Sequence, residues 1–296
     1  MIGRRGFISG AAGGALAVGL MGGGAARAQI ATCGNPTKRF ETLEAHSGGR
    51  LGVAIHDLET GAAFAHKARQ RFPMCSTFKF VLVGAVLARV DQGHENLGRK
   101  IPIQKSDLVS HAPTVEKHVG GALTLAELCE AAITQSDNAA TNLILRQLDG
   151  PRGFTAYARG LGDPVTRLDR WEPLMSEAKP GDIRDTTSPQ AMVDNMRKLV
   201  LGDALQPGSR HQLTEWLVAN QTGGATLRAG LPGGWRVGDK TGAGDHGTRN
   251  DVAIAWPPGR KPVLVAAYLT GSKLNAGGRD AVLAEVGRIV AATVGA

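Results

Sequence analysis

The chain has 296 residues, of which 42% are hydrophobic and 20% charged. That balance excludes an intrinsically disordered chain and leaves enough length for an ordinary core and two lobes. The formal charge is +8; its densest basic stretch, His66, Lys67, Arg69 and Arg71, has no aromatic or motif support for binding nucleic acid.

The first segment reads as a leader. Arg4-Arg5-Gly6-Phe7-Ile8 is a twin-arginine pattern, followed by an apolar Gly/Ala-rich stretch to about Gly24 and a small-x-small site at Ala26-Arg27-Ala28. The stretch is short and glycine-rich for a membrane span. Residues 1–28 are therefore expected to be a signal peptide using the twin-arginine route. The mature chain would start near Gln29, with no membrane anchor, in the periplasm or outside the cell. Loss of Arg4, Arg5 and Arg27 lowers the charge from +8 to +5.

Pro36 to His46 reads as a helix stopped by Gly48-Gly49. Leu51 to His56 and Ala62 to Ala65 read as strands joined by the turn Leu58-Glu59-Thr60-Gly61. Ser76 to Val90 is apolar on nearly every side, the mark of a buried helix. Thr124-Leu125-Ala126-Glu127 is a capping box, and Asn138 to Leu148 continues as a further helix. Residues 162–187 lack periodicity and read as a long ordered loop, a length usually tied to function. Ser188 to Leu201 and Gly208 to Asn220 look helical. Gly234 to Lys240, Asp251 to Trp256 and Val263 to Thr270 look like strands, with a Pro257-Pro258-Gly259-Arg260 turn, and Arg279 to Val294 closes as an amphipathic helix.

Strands at both ends and helices between them predict an α/β protein of the α+β type. An all-helical lobe, residues 75–218 with the 162–187 loop, packs on a lobe holding an antiparallel sheet flanked by helices. The sheet lobe is assembled from 29–74 and 219–296.

Three short strings carry the chemistry. Ser76-Thr77-Phe78-Lys79 places a lysine one turn beyond a serine, on the same helix face. The helix N-terminus adds N–H groups and positive potential suited to an oxyanion. Such a serine is more often a simple N-cap. A second Ser-x-x-Lys, Ser176 to Lys179, runs into Pro180-Gly181, whereas Ser76 opens a buried helix. Ser136-Asp137-Asn138 lies between two helical patterns, and all three are capping residues. Lys240-Thr241-Gly242 follows a strand and offers a cation and a hydroxyl to an anion. Glu172-Pro173 sits in the long loop beside Trp171, an aromatic neighbour able to tune a carboxylate. The three cysteines, Cys33, Cys75 and Cys129, form no Cys-x-x-Cys, and the eight histidines show no ligand spacing, so no metal is assigned.

In this order the segments resemble class A serine β-lactamases over nearly the whole mature chain. Glu116-Lys117-His118, the run Arg167 to Pro173, Arg184-Asp185-Thr186-Thr187 and Gly238-Asp239-Lys240-Thr241-Gly242 extend the match. The resemblance implies a β-lactamase/transpeptidase-like fold with a five-stranded sheet, and hydrolysis of a small-molecule β-lactam without a cofactor. It implies a monomer, with no nucleic-acid partner.

Ser76 would be the acylated nucleophile, deprotonated by Lys79 or by Glu172 through a water. Ser136 would relay a proton to the leaving nitrogen, and Asn138 would hold the substrate's side-chain amide. Backbone N–H groups of Ser76 and Ala243 would form the oxyanion hole. Lys240, Thr241 and Arg249 would bind the substrate carboxylate, beside Gly242. Glu172 would activate the deacylating water, a cis peptide would precede Pro173, and Arg170 would pair with Asp185 to close the loop.

Two departures bear on substrate range: Ser176 stands where an asparagine usually helps hold the water, and His111 replaces an aromatic at the pocket mouth. Gly244 replaces the cysteine that pairs with the Cys75 position in carbapenem-hydrolysing members, so no structural disulfide is expected. Penicillin-binding D-Ala-D-Ala carboxypeptidases and transpeptidases share the serine–lysine, Ser-x-Asn and Lys-Thr-Gly elements but lack the Glu-Pro loop. A catalytically silent binding protein of the same fold is the remaining alternative.

Overall fold

The computed structural model describes residues 36–295; the leader, its cleavage site and Cys33 lie outside them. Helix α1 (Pro36–Ser47) leads into the hairpin β1 (Arg50–Asp57) and β2 (Ala63–His66). The short strand β3 (Phe72–Pro73) precedes a single 3₁₀ turn at Cys75–Phe78, which feeds α2 (Lys79–Asp91). Strands β4 (Lys100–Pro102) and β5 (Ala122–Thr124) pair with each other before α3 (Leu125–Thr134), α4 (Asn138–Arg146) and α5 (Gly150–Gly160). Beyond the long loop come β6 (Thr186–Thr187), α6 (Pro189–Met196), α7 (Pro207–Val218) and α8 (Leu227–Gly230). Strands β7 (Arg236–Gly244), β8 (Thr248–Trp256) and β9 (Val263–Thr270) then lead to α9 (Ala276–Thr293).

The main sheet is antiparallel, in the order β2-β1-β9-β8-β7. Central β9 is buried along its whole length, because both faces are covered. Its side chains alternate between two clusters, as a period of two requires. Val263, Val265, Ala267 and Leu269 meet α1 and α9, while Leu264, Ala266 and Tyr268 meet the helical core around α2. Among the described residues no helix is long and apolar enough to cross a membrane.

Several elements differ from the sequence expectation, which also holds no counterpart to β3, β4, β5, β6 or α8. The helix predicted from Ser76 begins as a 3₁₀ turn, and the α-helix proper starts at Lys79. Helix α5 was not foreseen: Gly150, Gly153 and Gly160 dilute its periodicity. The helix predicted over 188–201 is α-helical only to Met196 and ends in a π turn, Arg197–Leu201. Strand β7 does not stop at Lys240 but runs through both glycines to Gly244. Those glycines permit close approach rather than a turn. A Cβ on Gly242 would lie 2.9 Å from Met74 O, and one on Gly244 would lie 2.5 Å from Ser176 O.

Candidate active site

The sheet fixes the Cys75–Phe78 turn from behind. Asn250 Nδ2, on β8, donates to Pro73 O at 2.9 Å and Met74 O at 3.1 Å. Thr77 Oγ1 contacts Tyr268 OH at 3.0 Å, tying the turn to β9. Cys75 is held in the left-handed region, φ 44°, which costs a non-glycine residue about 1–3 kcal/mol. This backbone leaves Ser76 half-buried at the cleft wall. Lys79, the first residue of α2, has no solvent exposure.

Ser136 and Asn138 are carried by the junction between α3 and α4. Ser136 is also left-handed, φ 59°. The capping reading of this string holds for its middle member. Buried Asp137 accepts from Ala140 N at 2.8 Å and, with its other oxygen, from Thr114 N and Val115 N at 2.9 and 3.0 Å. That frees its two neighbours for the cleft.

Period two along β7 sets Lys240. It pairs with Val252, which pairs with Ala266, so its side chain shares the sheet face turned to the helical core. There its ammonium reaches Ser136 Oγ at 3.1 Å. Lys79 Nζ approaches the same oxygen at 3.4 Å, and also donates to Ser136 O at 2.8 Å and Asn138 Oδ1 at 2.6 Å. With the Lys240 ammonium on one of its lone pairs, the Ser136 hydroxyl keeps its own proton to donate.

Glu172 is buried and follows the same logic of fixed backbone. Its peptide bond to Pro173 is cis, as expected. Asn142, on α4, clamps its backbone from both sides, donating to Glu172 O at 2.9 Å and accepting from Glu172 N at 3.1 Å. Glu172 Oε1 then lies 3.1 Å from Lys79 Nζ and accepts from Ser76 Oγ at 3.4 Å. The Trp171 ring lies over Gly150, where an added Cβ would come within 2.9 Å.

The loop is closed by the expected pair. Arg170 Nε donates to Asp185 Oδ2 at 2.6 Å, and Asp185 Oδ1 accepts from the backbone N–H of Asp169 and Arg170. Ser176 O accepts from Asp245 N at 3.1 Å, tying the far side of the loop to the end of β7. The Ser176 hydroxyl donates to Met175 Sδ at 3.2 Å.

Burial and neighbouring charge shape the titrations. Burial lowers the Lys79 ammonium from the ordinary lysine range, and Glu172 opposes that shift. Lys240 is pushed down to about 7, first by burial and then by repulsion from Lys79. Burial raises the Cys75 thiol, which keeps that sulfur protonated beside Ser76.

These groups line one cavity of about 350 Å³, bounded by Ser76, His111, Ser136, Asn138, Glu172 and Ser176, with Thr241, Gly242, Ala243 and Arg249 on the β7–β8 side. His111 stands at its exposed rim with its ring on Gln135 O at 2.9 Å. Three contributors were missed from the sequence. Thr222 joins the wall and meets Thr241 Oγ1 at 2.5 Å, Asn142 positions Glu172, and Asp280 on α9 accepts from Arg249 Nε at 2.6 Å. All three lie far from the strings they serve, with no local signal. Among the described residues no group of three or more His, Cys, Asp or Glu is placed to hold a metal ion.

Ser76, Glu172, Lys79, Ser136 and Lys240, linked in that order by close polar contacts, can make and break an acyl bond. A family model described as the β-lactamase enzyme family matches residues 35–294. The chain is similar to β-lactamase CTX-M-8 from Citrobacter amalonaticus, 47% identical over 253 residues, 86% of this chain and 87% of the relative. It is 43% identical to a β-lactamase from Streptomyces albus G, across 99% of this chain and 97% of the relative. Among solved structures, an ancestral class A β-lactamase (GNCA) superposes with a TM-score of 0.85 at 61% identity, over 86% of this chain and 98% of that one. The chain belongs to the β-lactamase enzyme family, as a member of class A.

Proposed function

We infer that the protein hydrolyses β-lactam antibiotics through a serine acyl-enzyme. The observation that carries the inference is the position of Glu172, which is within 3.4 Å of the nucleophile oxygen and paired with Lys79 in a buried site. A deacylating base is what separates a hydrolase from a transpeptidase of similar architecture.

In this scheme Ser76 Oγ attacks the lactam carbonyl carbon and its proton passes to Glu172, which already accepts its hydrogen bond. Lys79 stabilises the carboxylate and serves as the alternative base. Backbone N–H groups of Ser76 and Ala243 take the oxyanion charge. The tetrahedral species collapses, the C–N bond breaks, and Ser136 protonates the departing nitrogen. Lys79, which contacts both Ser136 Oγ and Glu172, returns that proton and takes the one held by Glu172, leaving Glu172 a carboxylate again. Asn138 holds the substrate amide, while Lys240, Thr241 and Arg249 hold its carboxylate. Glu172 then deprotonates a water that attacks the ester and frees Ser76. Ser176 lines the wall where that water enters, and its hydroxyl turns from Met175 to hold it.

We place the mature enzyme outside the cytoplasm, exported by the twin-arginine route after cleavage near residue 28; the Arg4-Arg5 motif supports the route. The protein is expected to turn over a chromogenic cephalosporin many times per active site. A single stoichiometric burst without turnover would instead indicate a transpeptidase, and no burst at all a silent binding protein.

A further inference from the structure

A second cavity, of about 520 Å³, shares no lining residue with the catalytic one. It lies where the 162–187 loop begins, against the N-terminal part of α6 and the π turn that follows. Pro164, Val165 and Ala191 give it an apolar wall. Its charged lining is uneven in what it leaves available.

Of the two acidic members, Asp163 is fully engaged and Asp194 at one oxygen, so the three cations outnumber them. Asp163 is buried, with Oδ1 accepting from Val165 N and Thr166 N and Oδ2 accepting from Asn195 Nδ2. Asp194 Oδ1 accepts from Gln190 Nε2 at 3.0 Å. The three cations are Arg69, Arg197 and Lys198. Neither guanidinium makes a hydrogen bond or ion pair among the described residues. Lys198 Nζ donates to Leu161 O and stands over bare Gly162, where a Cβ would come within 3.4 Å. One N–H of that ammonium is used, and two remain. Arg69 comes from the basic stretch that the catalytic reading left unexplained; its neighbours are engaged, Lys67 by Glu44 and Arg71 by Val165 O and Thr186 Oγ1.

An apolar hollow of ligand size, rimmed by uncommitted cations, selects a molecule with an apolar body and an anionic end. We propose that this cavity is a binding site for amphipathic organic anions, such as aryl carboxylates or sulfonates, separate from the catalytic cleft. The apolar body lies on Val165 and Ala191, and the anion meets Arg69, Arg197 and the free N–H groups of Lys198.

The test uses the full enzyme and 8-anilinonaphthalene-1-sulfonate, read by fluorescence and calorimetry. N-phenyl-1-naphthylamine, the same ring system without the sulfonate, is the neutral control. The expected result is one saturable site per chain for the sulfonate and at least tenfold weaker binding of the neutral compound. Arg69→Glu/Arg197→Glu should weaken the sulfonate at least tenfold while leaving β-lactam hydrolysis unchanged. Both arginines are exposed, so the variant should fold, which its melting temperature checks. Ala191→Trp, filling the wall, should abolish binding of both compounds. No saturable binding, or sulfonate affinity equal in parent and charge-reversed protein, overturns the proposal.

Discussion

Asp185→Asn tests whether the loop is held by charge. Asp185 is 1% exposed and holds three donors: Asp169 N at 2.7 Å, Arg170 N at 3.0 Å and Arg170 Nε at 2.6 Å. Asparagine is nearly the same size and tolerates the native φ of 56°, so neither a cavity nor backbone strain is added. Its oxygen can keep the two backbone donors. Its amide NH₂ must then face Arg170 Nε, donor against donor. Losing one partner of a buried ion pair costs about 3–5 kcal/mol. Arg170 keeps Glu177 at its other nitrogen, so the cost falls just below that range, at about 2–3 kcal/mol. For a protein of this size that lowers Tm by about 5–10 °C. The loosened loop carries Glu172 but neither Ser76 nor Lys79, the alternative base for acylation, so deacylation should slow at least tenfold while acylation largely persists. Thermal melts and intact mass during turnover read both effects. A Tm within about 1 °C of the parent, together with an unchanged deacylation rate, would refute the reasoning.

Three further outcomes follow from the same geometry. The Lys240 cation is lost as pH rises through about 7 in the free enzyme, so kcat/KM for carboxylate-bearing β-lactams should fall above that pH. Lys240→Arg keeps its charge and should move the fall upward; a profile identical in both proteins contradicts this role. Asp280→Asn releases Arg249 from its 2.6 Å partner and should lower KM for such substrates severalfold with a smaller change in kcat; unchanged KM would show that the pair does not compete with substrate. Ser176→Ala should slow deacylation more than acylation in pre-steady-state kinetics, and equal effects on both would remove Ser176 from the water site.

Local rules carried the sequence reading where structure is local. The Thr124–Glu127 box forms with both reciprocal hydrogen bonds, and α1 ends one residue beyond its expected stop. The Arg170–Asp185 pair and the cis bond before Pro173 were legible only through family resemblance, since no spacing rule yields either. Other features needed the tertiary structure. Gly242 and Gly244 lie beyond the expected strand end at Lys240, yet they continue β7, where Met74 O and Ser176 O approach too closely for any side chain. Trp171 adjoins Glu172 in sequence but packs on Gly150, while the groups that orient Glu172 come from α2 and α4. Asp280 sits 31 residues from Arg249, on a helix whose pattern predicts only its buried face.

The central claim is that Glu172 is the deacylating base, and Glu172→Ala tests it most directly. General-base removal slows a step by roughly 10²–10⁴-fold. After incubation with a penicillin, intact mass should show one whole drug molecule per chain, peptide mapping should place it on Ser76, and the adduct should persist. Unmodified protein after prolonged incubation, or hydrolysis at the parent rate, would contradict the account.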